Sequence, residues 1–154
     1  MLLPAEVVAT YQSPATVAAV APPVLRVADL PIVDESVEPH VPWLATFSRP
    51  WPGIMGIWTA QSGGALKYER AVARPATMGE VVEPAATGPS SRWHDGGVMT
   101  VRLYGGSLSS AGSVDVLAGE NALAVQANDG EWEVLQFRDA ELVAERTYQL
   151  SPLL

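Results

Sequence analysis

Alternating apolar and polar residues mark the C-terminal quarter of the chain as a set of short β-strands. Residues 117–154 read LAGENALAVQANDGEWEVLQFRDAELVAERTYQLSPLL. Acids alternate there with Trp132 and Val134, which is the two-residue period of a strand with one buried face. The Asn128-Asp129-Gly130 segment separates LAVQA from EWEVLQF and supplies the positive φ that a hairpin turn needs. This stretch therefore predicts antiparallel hairpins.

Two irregularities follow in the same stretch. At Leu135 the apolar phase shifts, which indicates either a β-bulge or a strand buried on both faces. Arg138-Asp139 is then predicted to turn the chain into a further strand, AELVAER, which leads into TYQLSPLL. The stretch predicts two or three strands and contains no evident catalytic motif.

Similar short apolar runs, separated by turn residues, recur upstream. LATFS, GIMGIWTA and ALKYERAVA are strand candidates, and residues 61–64 join the last two as a hairpin loop. Met99, Val101 and Leu103 alternate with polar residues and form a predicted inward face. About eight short strands at this spacing predict an all-β fold, either an antiparallel β-sandwich or a partly open barrel.

Helix is expected only as brief turns. Residues 81–87 and 113–121 fit such turns, although Val114 and Val116 also fit one more short strand. Thirteen Pro and thirteen Gly residues favour short strands over long helices.

Composition divides the chain into three parts. Residues 1–30 form a short β segment, which either pairs into the following sheet or ends a preceding domain. Residues 31–48 comprise a linker and the first strand, and the linker is expected to be extended because it is rich in acids and proline. Residues 49–154 form the predicted β-sandwich or barrel domain.

Charge and residue usage exclude several classes of function. The net charge is −8 and the nine basic residues are scattered along the sequence, which argues against sequence-independent binding of nucleic acid. The chain has no cysteine, so it has no disulfide, no thiol nucleophile and no cysteine-type zinc site. Residues 1–20 lack the basic start of a signal peptide, and no segment approaches the ~20 apolar residues of a membrane helix. We expect neither nucleic-acid binding nor membrane insertion.

Two polar groups in the predicted domain are candidates for catalysis. His94-Asp95 combines an imidazole with an acid, but adjacent residues on an extended chain point apart and no nucleophile stands in a motif, so a loop turn is predicted. Glu131 and Glu133 lie on one strand face about 7 Å apart, a spacing compatible with glycoside hydrolysis. Alternate acids on an exposed strand are ordinary, however, and we predict no enzymatic activity.

The linker contains the candidate metal ligands. His40 has no partner at zinc-ligand spacing, and Asp34, Glu35 and Glu38 lack the glycine turn and alternate spacing of a calcium loop. We interpret them as a solvated acidic segment and predict no metal and no cofactor.

Aromatic side chains offer a different kind of site. A stacking surface for sugar rings would need exposed rings beside polar loops, whereas most Trp residues in a small β-domain are core. The candidates are Trp43, Trp51, Trp58, Trp93, Trp132, Tyr68 and Tyr104. We select Trp51, between two prolines, Trp93, in a loop, and Tyr104 as the predicted binding residues.

The sequence also resembles a known family. LAGENALAV, followed by WEVLQFRDAELV and TYQLSPLL, resembles the C-terminal part of large phage tail-tip proteins, above all the fibre-like host-contact protein of gene transfer agents, the phage-like particles that some bacteria make. Residues 29–31, 51–53 and 101–110 extend the similarity. In that family the run usually continues into a Gly- and Arg-rich segment, so we expect a piece of a longer protein. Full-length relatives carry a glycosidase-like barrel elsewhere, and these residues contain no repeated strand–helix units that would match it.

The resemblance implies a non-catalytic structural or attachment domain. Its implied partners are other tail-tip and baseplate proteins and a bacterial cell-surface glycan. Its implied location is the tail of a virion or phage-like particle assembled in the bacterial cytoplasm. The alternative is a carbohydrate-binding module accompanying a glycoside hydrolase-like domain, which exposed Trp and Tyr rings would favour. A third hypothesis, an enzyme in its own right, would require a cleft with convergent acids.

Overall fold

The computed structural model describes residues 21–30 and 41–154. These residues form nine β-strands and one short helix. In chain order they are β1 (Val24–Ala28), β2 (Trp43–Phe47), β3 (Met55–Thr59), β4 (Lys67–Val72), β5 (Gly79–Glu83), β6 (Met99–Leu103), α1 (Ser113–Leu117), β7 (Ala122–Gln126), β8 (Trp132–Ala144) and β9 (Thr147–Leu153). Strands make up 46% of the described residues and helix 4%, so the predicted all-β class is confirmed.

Several sequence-based expectations lie outside the described residues. They are those for the stretch resembling a signal peptide, for most of the acidic linker, and for the candidate metal ligands Asp34, Glu35, Glu38 and His40.

Five strands form one antiparallel sheet in the order β5-β6-β9-β8-β7. The sheet curls into a half-barrel, which agrees with the partly open barrel predicted as one of two architectures. At the two ends of the sheet the pairs are consecutive in sequence, β5 with β6 and β7 with β8. In contrast, β6 pairs with β9, although α1, β7 and β8 lie between them in sequence. This non-local pairing brings the end of the chain to the centre of the sheet.

The core of the half-barrel is formed by apolar residues of the strands β6, β8 and β9. Its buried members are Met99, Val101, Leu103, Phe137, Tyr148, Leu150 and Leu153. The predicted inward face of β6 is therefore confirmed. The opposite face of β6 is not uniformly polar and exposed, because Thr100 is buried and its hydroxyl donates to Glu83 at 3.1 Å, whereas Arg102 is exposed.

The segment before β7 is helical, so the prediction of a brief helix holds and the alternative of a strand at Val114 and Val116 is wrong. Val116 is fully buried, and this burial is what a single helical turn against β8 provides. The Gln136 side-chain amide donates to the carbonyls of Val116 (2.5 Å) and Glu120 (2.9 Å) and so satisfies acceptors at the helix end. Within the described part of the chain, no helix is long and apolar enough to cross a bilayer.

Two other expectations from the pattern are wrong. Residues 79–83 form strand β5, not a helical turn, because they pair antiparallel with β6, where β-branched Val81 lies opposite Val101. Arg138-Asp139 does not turn the chain: β8 continues to Ala144 because its first half pairs with β7 and its second half with β9. The turn comes at Glu145 and Arg146 instead.

The apolar pattern shifts at Leu135 because this part of β8 is covered on both faces, and not because of a β-bulge. The β7–β8 register is regular there, and residues 134–136 are all half-buried, so both faces of this part of β8 are covered.

The first four strands form two separate two-stranded sheets, β1–β2 and β3–β4. The β1–β2 hairpin docks against the half-barrel through Phe47, whose ring centroid lies 6.0 Å from that of Tyr104. The Ala76 amide also donates to the Thr46 carbonyl at 2.8 Å, which ties the chain entering β5 to β2. The two strands of this hairpin flank residues 31–40.

Candidate functional site

The three aromatic residues selected from the sequence lie in three different settings. The Trp51 indole nitrogen donates to the carbonyls of Gly53 (2.6 Å) and Ala73 (3.1 Å), so this ring ties the loop before β3 to the end of β4. Trp93 is half-buried in the loop that precedes β6. Tyr104, also half-buried, follows β6 and lines a cleft that neither tryptophan reaches.

His94 is packed as a structural residue. Its amide donates to the Leu153 carbonyl at 2.8 Å, which joins its loop to the last strand. A Cβ atom added to Gly88 would lie 2.9 Å from the His94 Cγ, and one added to Gly97 would lie 3.0 Å from it. The imidazole therefore occupies a slot between two glycines, in agreement with the loop turn predicted for this segment.

The described residues contain no cluster of three or more His, Cys, Asp or Glu side chains that could hold a metal ion. Glu131 and Glu133 are exposed at the start of β8. They lie on an open strand rather than in a cleft, which is the ordinary setting for alternate acids.

The β3–β4 hairpin is exposed at most of its strand positions, and we call it the aromatic arm (residues 55–72). Trp58 and Tyr68 are paired across the two strands and remain 55% and 49% exposed. Their ring centroids lie 5.2 Å apart at an interplanar angle of 69°. Gly56 lies beneath the indole, since a Cβ there would lie 3.1 Å from the Trp58 Nε1. The absence of a side chain at Gly56 lets the two rings meet edge to face.

A polar cluster stands at the end of the same arm. The Thr59 hydroxyl donates to the Glu69 carboxylate at 2.8 Å, and the Lys67 ammonium lies 3.1 Å from the same oxygen. These interactions lower the pKa of Glu69, the hydrogen bond from Thr59 contributing most and Lys67 next. Glu69 also sits beside the register shift that separates Ile57 from Trp58.

We expect the aromatic arm to loosen in acid. Because the pKa of the Glu69 carboxyl is lower in the folded arm than in the unfolded chain, its stabilisation is fully present above the ordinary glutamate pKa and is lost as the pH falls through the folded value. The Thr59→Val variant should raise the Glu69 pKa towards the ordinary value, as measured by NMR titration of the side-chain carboxyl. An unchanged pKa in Thr59→Val would show that the hydroxyl does not hold the charge.

A cleft of about 330 Å³ separates the β1–β2 hairpin from the end of β6 and the β8–β9 turn. Phe47 and Tyr104 form its aromatic wall, and Arg49, Arg102 and Arg146 line it. None of the described residues that line it is acidic. The chain thus concentrates three of its nine basic residues in one place although its net charge is −8.

Of the residues that form these two surfaces, sequence reasoning selected only Tyr104, which lines the cleft. Trp58 and Tyr68 were among the seven aromatic candidates but were not selected, because no residue pattern tells whether another sheet covers a hairpin. The three arginines are about fifty positions apart in sequence, so only the β6–β9 pairing and the docked hairpin bring them together.

Comparison with known proteins identifies one unit of this structure. A search of curated proteins found no match. A family model described as "Rcc01698-like, C-terminal" matches residues 76–154, which is slightly more than half of the chain and contains all five strands of the half-barrel. The β1–β2 hairpin and the aromatic arm precede the matched residues. On this match, the chain belongs to the Rcc01698-like family, with the half-barrel as its C-terminal family domain.

Proposed function

We propose that this chain is a non-catalytic structural and attachment domain of a phage-like tail-tip (host-contact) protein. Its partners are other tail-tip and baseplate proteins, with a bacterial cell-surface glycan as a further contact. The setting is the tail of a virion or phage-like particle that is assembled in the bacterial cytoplasm. The resemblance of residues 117–154 to tail-tip proteins motivates this proposal, and the exposed aromatic arm is the structural observation that carries it.

Among the described residues, the strands of the arm pair only with each other. An isolated hairpin is at best marginally stable in water, and independent stability requires further strands or a packed face. Every residue of β4 except Val72 is exposed, as are Gly56, Trp58 and Thr59 in β3. A partner that covers the arm would supply the missing packing, which is the behaviour expected of an assembly element.

The composition of the arm fits a protein partner. Trp and Tyr are enriched among the residues that dominate binding energy at protein interfaces. Burying the remaining half of the Trp58 and Tyr68 surfaces would contribute roughly 5 kcal/mol before the costs of ordering, from about 200 Å² per ring. Ile54 and Leu66, at the two ends of the arm, are also exposed and extend the apolar surface.

The carbohydrate-binding module remains the second candidate, because exposed Trp and Tyr rings also hold sugars. The ring geometry favours the protein partner. At 69° the Trp58 and Tyr68 planes are nearly perpendicular, so they do not offer one flat platform on which successive sugar rings of a glycan chain would stack.

The test is a double substitution, Trp58→Ala with Tyr68→Ala, in the full-length protein of cells that produce the particles. We expect either particles whose tail tip is incomplete by electron microscopy or complete particles whose adsorption to host cells falls at least tenfold. Trp43→Ala is the matched control, because Trp43 is 40% exposed but lies on β2, outside the arm.

Unchanged assembly and unchanged adsorption in the double variant would overturn the proposed function. A screen of the purified chain against cell-surface polysaccharides and peptidoglycan fragments separates the two candidates. Saturable glycan binding that the double variant loses, together with normal particle assembly, would favour the carbohydrate-binding module.

A further inference from the structure

We propose that the cleft between the β1–β2 hairpin and the half-barrel binds a saccharide that carries an oxyanion, either a carboxylate or a phosphate. This inference rests on the glycan contact of the proposed function and deepens it, because it names the chemical class of the saccharide and the site that would bind it. The cleft shares no lining residue with the aromatic arm, so the failure of this inference and the failure of the proposed function are distinguishable.

The charge of the cleft selects for an anion. Arg49, Arg102 and Arg146 line it, and none of its described lining residues is acidic; Arg102 and Arg146 are each paired with a carboxylate that does not line the cleft, Glu80 and Glu145. Arginine is the side chain best suited to carboxylate and phosphate, because its planar group presents several N–H donors in a fixed fork. A site that served only packing would not need three such groups beside one small cavity.

The existing partners of these arginines leave donors available. Arg102 binds Glu80 across the β5–β6 pair through its Nε, at 2.9 Å, and through one terminal nitrogen. Arg146 donates to the Tyr104 carbonyl at 2.9 Å and lies 3.4 Å from the Glu145 carboxylate. Because a guanidinium has five N–H donors, each retains several for a ligand, and the existing bonds hold the two groups in position.

The local backbone conformation positions Arg146 and Arg49 at the cleft. Arg146 has a φ of +53°, a conformation that glycine or asparagine adopts at lower cost than arginine. Ser48 is buried, and its hydroxyl lies 3.1 Å from the Ala21 carbonyl and 3.3 Å from the Pro50 carbonyl, so it fixes the chain on either side of Arg49. An unfavourable residue kept at a strained turn is an observation that points to function.

Size and the aromatic wall identify the rest of the ligand. A volume of about 330 Å³ lies at the lower end of the range for small-molecule sites. The Phe47 and Tyr104 rings are tilted by 46° to each other and border this space, giving an apolar surface of the kind on which a sugar ring packs. One acidic sugar unit combines the ring and the anion that the two sides of the cleft would recognise.

The experiment is a titration of the full 154-residue chain by NMR and calorimetry, with four probes: digalacturonic acid, glucose 6-phosphate, inorganic phosphate and neutral cellobiose. We expect saturable binding of digalacturonic acid or glucose 6-phosphate, with shifts at residues bordering the cleft and an affinity that falls as salt is raised. Whichever of the two binds more tightly identifies the oxyanion as carboxylate or phosphate.

The variants test the residues individually. Arg146→Asn introduces a residue that tolerates the positive φ at this position. Arg49→Gln changes an exposed side chain. At least one of the two variants should therefore remain folded. Each should weaken binding at least tenfold, since a hydrogen bond to a charged group contributes that much or more. Arg70→Gln is the matched control, because Arg70 lies on the aromatic arm and loses the same charge.

Three results would each overturn the inference. They are no binding of any probe, equal binding of cellobiose, and equal weakening by Arg70→Gln. Inorganic phosphate bound as tightly as glucose 6-phosphate, with digalacturonic acid unbound, would also overturn it, because the aromatic wall would then contribute nothing.

Discussion

Replacing Leu150 by alanine is expected to lower the free energy of unfolding by about 3–5 kcal/mol. Leu150 is 0% exposed, and it pairs with Met99 of β6 on one side and Ala140 of β8 on the other. Truncation leaves a cavity at the centre of the sheet, where hydrogen-bonded strands on both sides prevent collapse. Urea unfolding followed by circular dichroism measures the loss.

Leu142→Ala is the matched control for that experiment. Leu142 lies on β8, next to β9, but it is 60% exposed, so the same deletion should cost less than about 1 kcal/mol. Equal losses in the two variants would mean that Leu150 does not lie in the core of the half-barrel. The urea dependence should be alike in both, since neither changes the surface exposed on unfolding very much.

Replacing Gly79 by alanine is expected to cost about 2–3 kcal/mol by forcing the edge strand β5 away from β6. A Cβ at this position would overlap the Arg102 carbonyl oxygen and would lie 3.0 Å from the Leu103 Cα. Both are backbone atoms of a central strand, so no rotamer change relieves the overlap. Hydrogen exchange of the β5 and β6 amides, with urea unfolding, measures the effect, and β5 should exchange before the rest of the sheet.

Gly96→Ala is the control for Gly79→Ala. A Cβ at Gly96 would have only the His94 Nε2 nearby, at 3.9 Å, which is ordinary contact. Its stability should change by no more than about 0.5 kcal/mol, or rise slightly because alanine restricts the unfolded chain. A Gly79→Ala protein as stable as the wild type, with β5 still protected, would show that the edge strand adapts without loss.

The local pattern of the chain was informative about strands and much less so about where they end. The alternation in β6 and the Asn-Asp-Gly turn between β7 and β8 rest on contacts within a few residues, and both were predicted correctly. The turn expected at Arg138-Asp139 was wrong because the length of β8 is set by its two neighbours. No residue pattern within β8 predicts that its second half will pair with β9.

Candidate sites were harder to predict for the same reason. The sequence around Trp51, Trp58 and Trp93 does not distinguish a buried indole from an exposed one. The distinction depends on which carbonyl groups and strands lie close to each indole in the folded chain. The indole of Trp51 donates to two carbonyls, whereas that of Trp58 lies on an uncovered hairpin. Exposure depends on non-local packing, which a period-2 pattern does not report.

By itself, the sequence determined the all-β class, the hairpin turns at residues 61–64 and 128–130, the inward face of β6 and the acidic character of the chain, because these follow from backbone preferences and residue chemistry over short distances. The tertiary structure decided which strands are neighbours, that β9 lies at the centre of the half-barrel, that the aromatic arm is uncovered, and that three distant arginines share one cleft. Those features depend on contacts between residues far apart in sequence, whose partners are selected only when the whole sheet closes on its core.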